Sequence, residues 1–93
     1  MNERLIVQEG QLLAVFNSAH RVMAAEDLLK RLNLDILLIP APRKLQTDCG
    51  LALRFTDAER QRIMAALEEK NLLPAFICRL EGGEYITAWG ERT

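Results

Sequence analysis

Thiols are the strongest nucleophiles in this chain. Its 93 residues hold two cysteines, Cys49 and Cys78, and a single histidine, His20. Cys49 closes the polar stretch Pro40-Ala41-Pro42-Arg43-Lys44-Leu45-Gln46-Thr47-Asp48 and is followed by Gly50. A thiolate is the reacting form in sulfur exchange, and nearby cations favour it, so Arg43 and Lys44 are read as activating groups. A carboxylate turned toward the sulfur acts the other way, which makes the effect of Asp48 depend on where it points. Gly50 has no side chain and leaves room for a partner's sulfur to approach. Cys78 sits in the apolar run Phe76-Ile77-Cys78, where a free cysteine behaves as a small buried hydrophobe. His20, if it faces the sulfur, is placed to pair with thiolate or relay a proton. One histidine with Cys49 and Asp48 is too thin a ligand set for a metal, so no metal site and no cofactor are expected.

The elements that must position these groups follow from periodicity. Leu12 to Phe16 is a short all-apolar run, expected as a strand covered on both faces. Ser18 then suits a helix N-cap, and Val22, Ala25, Leu29 and Leu32 recur at helical spacing until Asn33. A second strand is expected over Asp35 to Ile39, stopped by Pro40 and Pro42. Leu51, Leu53 and Phe55 alternate with Ala52 and Arg54 as in a half-buried strand. Thr56-Asp57-Ala58-Glu59 reads as a capping box opening a helix with Ile63, Met64 and Leu67 on its stripe, closed by Asn71 before Pro74. Ala75 to Leu80 and Glu84 to Trp89 read as strands joined across Gly82-Gly83, with Trp89, Tyr85 and Thr87 sharing one face.

This order, β-α-β-β-α-β plus one strand, predicts an α+β fold of the ferredoxin-like split βαβ plan. The expectation is an antiparallel sheet with strands ordered 4-1-3-2, both helices on one face and an extra C-terminal edge strand. Residues 11–93 are read as one domain, and residues 1–10 as a tail or a weak edge strand around Leu5-Ile6-Val7. In that plan the first strand ends where the third begins, which brings Ser18 and His20 toward Cys49 and sets Cys49 before the first helix. The connection from Pro40 to Cys49 is longer than a hairpin needs, and such loops often carry function. The first strand also stands between those carrying Cys49 and Cys78, so no disulfide between them is expected.

Composition narrows the classes. Twelve Lys+Arg against thirteen Asp+Glu give a net charge of −1, which supplies no basic field for nucleic acid or an anionic membrane. No apolar run approaches the roughly 20 residues that span a bilayer. The start, Met1-Asn2-Glu3-Arg4, lacks the basic region of a secretory signal, so a cytoplasmic chain with reduced thiols is expected.

Three segments together resemble the Se/S carrier protein-like family of small bacterial domains: Phe16-Asn17-Ser18-Ala19-His20, Ile39-Pro40-Ala41-Pro42-Arg43 and Thr47-Asp48-Cys49-Gly50-Leu51-Ala52-Leu53-Arg54-Phe55. The resemblance runs from about Leu12 to Pro74, and its specific part is Pro-x-Pro-Arg followed by Asp-Cys-Gly. It implies that Cys49 carries sulfur or selenium as a persulfide or selenosulfide, a relay rather than a turnover enzyme. Its donor would be a cysteine desulfurase or a rhodanese-like enzyme, with the acceptor unspecified. The competing expectation is a ligand-binding or protein-interaction module, possible also as a homo-oligomer, in which Cys49 is incidental and Pro40 to Asp48 form the binding surface.

Overall fold

A computed structural model describes residues 6–92. Its elements are β1 (Leu12–Val15), α1 (Ala19–Arg31), β2 (Leu37–Pro40), β3 (Leu51–Phe55), α2 (Arg60–Glu69), β4 (Phe76–Glu81) and β5 (Glu84–Gly90). The strands form one antiparallel sheet in the order β2-β3-β1-β4-β5. β1 lies at its centre, with Leu12 opposite both Phe55 and Arg79, and all four of its residues are buried.

Alternation along β1 divides the core in two. Leu12, Ala14 and Phe16 join Val22, Ala25 and Leu29 of α1 and Ile63 and Leu67 of α2, so both helices cover the same face. Leu13 and Val15 point the other way, into a second cluster with Ile39, Leu45, Ala52, Phe76 and Cys78. Burying each large aliphatic side chain contributes about 1.5–3 kcal/mol, so a bare second face would forfeit much of the sheet's stability. Chain outside the helices covers that face. Leu45 descends onto it from the β2–β3 connection, and Val7 packs there from the N-terminal segment. Arg54 donates to Ile6 O, and Gly10 N donates to Leu80 O, which ties the segment down.

The helix ends follow side-chain chemistry. Ser18 Oγ accepts from Arg21 N at 3.2 Å, satisfying a free amide of the first turn. Asn33 and Asn71 close the two helices with φ of 59° and 55°, and Leu34 N and Leu72 N reach back to Leu29 O and Leu67 O. Asparagine tolerates this left-handed conformation, and the paired amides satisfy the last carbonyls. Arg21 Nη2 donates to Asn71 O at 3.0 Å, joining the start of α1 to the end of α2.

Four expectations need correction. β2 begins later than Asp35 and includes Pro40, which pairs with Leu51; an edge strand tolerates proline because one side of its backbone is unpaired. The capping box does not form. Residues Asp57–Glu59 make a 3₁₀ turn, Thr56 caps with its carbonyl rather than its hydroxyl, and Arg62 takes the Glu59 carboxylate at 2.8 Å. Of Leu5-Ile6-Val7, Leu5 lies outside the described residues, and Ile6 and Val7 are not in a strand.

Trp89 is the fourth. Ile77 pairs with Trp89 but Cys78 pairs with Thr87, leaving Ala88 as the extra residue of a β-bulge. The extra residue breaks the two-residue period, so Trp89 shares the helix-covered face with Ile77 while Tyr85 packs on the opposite one. Arg60 Nη2 donates to Ala88 O at 3.0 Å from the first turn of α2. Gly90 completes the bend at φ +77°, where an added Cβ would lie 2.5 Å from Ala75 O and 2.9 Å from Phe76 Cα. Gly90→Ala is therefore expected to destabilise by about 1–3 kcal/mol through backbone strain, and by more once the clash is included. Gly83→Ala, with φ +81° but open space around it, should lose less. Urea unfolding of the two variants decides this; equal losses would mean that the Ala75 carbonyl yields freely.

Candidate functional site

The ladder between β2 and β3 continues one step past the strands, where Ala41 N donates to Gly50 O at 2.9 Å. Between these residues the chain makes an excursion beneath the helix-free face. Leu45 N donates to Pro42 O and turns the loop, and the Leu45 side chain is 2% exposed among Leu13, Val15 and Cys78. Lys44 Nζ reaches Gly83 O in the β4–β5 turn at 2.9 Å. That turn lies beyond Leu12 and Arg79, at the end of the sheet opposite Cys49. The loop is thus a strap fastened across the sheet.

Cys49 stands at the returning end of the strap. Thr47 Oγ1 accepts from Gly50 N at 2.9 Å, closing a tight turn around Asp48 and Cys49. Gly50 adopts φ +71° with open space where a Cβ would be, so it both permits the turn and leaves an uncovered approach. The half-buried thiol has two carbonyls within reach of its single proton, Leu51 O at 3.2 Å and Phe16 O at 3.4 Å. It also packs against the helix-side core. The sulfur therefore bridges the start of β3 and the end of β1, engaged as a donor to carbonyls rather than as an acceptor from the amides of α1.

Lys44, expected as an activating cation, donates its ammonium to Gly83 O and makes no hydrogen bond to the thiol among the described residues. Arg43 and Asp48 are exposed, with no side-chain hydrogen bond or ion pair among the described residues. Ser18 is the cap of α1, His20 is exposed in its first turn, and Pro40 and Pro42 frame the strap's departure. Phe16, Asn17, Gln46, Thr47, Asp48 and Glu91 help line a cleft of about 110 Å³ beside the turn. Small-molecule sites usually occupy about 300–1,000 Å³, so this cleft does not favour a ligand-binding loop. Among the described residues no cluster of His, Cys, Asp or Glu could hold a metal ion, and no helix is long and apolar enough to cross a membrane.

Cys78 differs in every respect. It is fully buried on the opposite face, and that burial pushes its thiol above the ordinary value of 9.0, with Arg92 opposing weakly. β1 separates its strand from β3, and the register adds about five residues of axial offset, so the two cysteines lie roughly 20 Å apart. A disulfide needs Cα atoms within about 7 Å.

Residues 11–79 match the family described as "Putative Se/S carrier protein-like". The chain belongs to that family. No curated protein and no solved structure matches it. The family name describes carriage of selenium or sulfur, and both cysteines of this Se/S carrier-like chain fall within the matched residues. Two residues that position the thiol, Leu45 and Thr47, were not among the sequence candidates. An isolated leucine inside an otherwise polar loop was the available signal for Leu45.

Loosening the strap should free the sulfur. Lys44→Ala removes one exposed hydrogen bond, worth about 0.5–1.5 kcal/mol, and should raise the alkylation rate of Cys49 up to roughly tenfold with the fold intact. Leu45→Ala should raise it further, at a stability loss of about 2–5 kcal/mol. Labelling kinetics followed by intact mass measure both; unchanged rates in folded variants would show that the strap does not govern the thiol.

Proposed function

We propose that this protein is a sulfur or selenium carrier whose carrying atom is Cys49 Sγ. The observation that carries this reading is the contrast between the two thiols of a Se/S carrier family member. Cys49 is half-buried in a turn beside an unobstructed glycine, while Cys78 has no exposure at all. In the loading step the Cys49 thiolate attacks the outer sulfur of a donor persulfide. The new S–S bond forms as the old one breaks, the donor leaves as a thiolate with the electron pair, and the proton stays on the outer sulfur. Attack by an acceptor thiolate on that outer sulfur reverses the logic and restores Cys49 as thiolate. No net oxidation occurs and no cofactor is required. Selenium follows the same course through a selenosulfide.

The donor class is a cysteine desulfurase or a rhodanese-like enzyme, acting with this carrier in the cytoplasm. The β-α-β-β-α-β order, with β5 beyond β4 at the edge, supports the ferredoxin-like split βαβ plan. Residues 11–93 act as one domain. Phe16 O and Leu51 O are placed to accept the single hydrogen bond of the resting thiol, in turn or shared. Arg43, Asp48 and His20, exposed on the flanking segments, are offered to a docked partner rather than to the sulfur itself.

Incubation with a cysteine desulfurase and cysteine, followed by non-reducing intact mass, should add one sulfur. The gain should disappear in Cys49→Ser and persist in Cys78→Ser. Absence of the gain with both desulfurase and rhodanese donors would overturn the carrier reading and leave an interaction module with an incidental thiol.

A further inference from the structure

The bulge in β5 builds a second feature on the far side of α2 from the sheet centre. A groove of about 580 Å³ runs between α2 and β5, with Met64, Ala65, Leu73 and Trp89 as its apolar lining. Trp89 is 36% exposed there although it is the chain's sole tryptophan. Three independent devices hold it in that position: the extra residue Ala88, the Arg60 hydrogen bond to the Ala88 carbonyl, and a glycine at position 90 that no Cβ could replace without a clash. Bulges commonly serve to re-aim a side chain at a functional surface. Ile86, opposite Arg79 on the same face, adds a 47% exposed apolar neighbour.

The charges of the groove discriminate between occupants. Arg60 is engaged, with Nη2 on Ala88 O and Nη1 3.9 Å from Asp57, and Asp57 is also held by Arg79 at 2.7 Å. Glu68, by contrast, is exposed and has no side-chain partner among the described residues. An open carboxylate and an indole lining one groove attract a cation and disfavour an anion. A guanidinium satisfies both at once, because its plane stacks on the indole while its edge pairs with the carboxylate. The groove is larger than one side chain and has Met64, Ala65 and Leu73 on its wall besides Trp89, which favours a polypeptide over a free amino acid.

We propose that the α2–β5 groove docks a partner protein through an arginine flanked by apolar residues, with the guanidinium between Trp89 and Glu68. This surface is independent of Cys49 and does not rest on the carrier reading. The test uses the indole N–H resonance of Trp89 in ¹⁵N-labelled protein, titrated with a capped tripeptide of arginine between two leucines. A saturable shift is expected, unchanged in Cys49→Ser and weakened roughly threefold to fivefold by Glu68→Gln, as an exposed ion pair allows. The same tripeptide with glutamate in place of arginine should give no saturable shift. The proposal is overturned if the arginine peptide gives none, if the glutamate peptide binds equally, or if Glu68→Gln binds as well as the parent. Equal binding by free arginine would overturn the assignment to a polypeptide.

Discussion

A central strand that is apolar on both faces has to be covered twice. Leu12 and Ala14 face two helices, but Leu13 and Val15 face a side where no helix lies, and both are essentially removed from water. The chain meets this demand with its β2–β3 connection, so the segment between Ala41 and Gly50 serves as a structural cover as well as a loop. Leu45 supplies the apolar contact and Lys44 carries the strap on to the β4–β5 turn. The position of Cys49 follows, because it is the point at which the strap rejoins the sheet beside the end of β1.

This origin shapes the chemistry available to the thiol. A sulfur that donates to Phe16 O and Leu51 O is oriented and partly shielded, with its open side next to Gly50. A carrier has to hold its sulfur against adventitious reaction and still release it to a partner. A strap fixed by one leucine and one exposed lysine bond is suited to that, since local opening is inexpensive compared with unfolding the sheet. Cys78, sealed in the face that the strap covers, contributes packing alone.

Much of the fold was legible because its determinants are local. Ser18 capped its helix, Asn33 and Asn71 ended theirs, and the five strands were found by alternation and apolar runs with only their ends displaced. The clearest departures were places where a second partner, near or far, took a side chain from its expected one. Glu59 answered Arg62 instead of the Thr56 amide, and Lys44 reached across the sheet to Gly83. One bulged residue, invisible to a two-residue period, moved Trp89 to the other face. At the site, the sequence singled out Cys49 and Gly50 by type and spacing, and the structure sets them together in one turn. It missed Leu45 and Thr47 because their roles depend on where the loop lies over the sheet.

The fold restrains Cys49 through the strap and its carbonyl contacts. The most direct measurement compares its alkylation rate in native Cys78→Ser protein with that of a synthetic peptide spanning residues 44–54, at one pH and ionic strength. Freeing the thiol from its carbonyls and opening the turn at about 1–3 kcal/mol predicts a native rate roughly fivefold to 150-fold slower than the peptide. A native rate equal to or faster than the peptide's would contradict the account and assign Cys49 to an unrestrained loop.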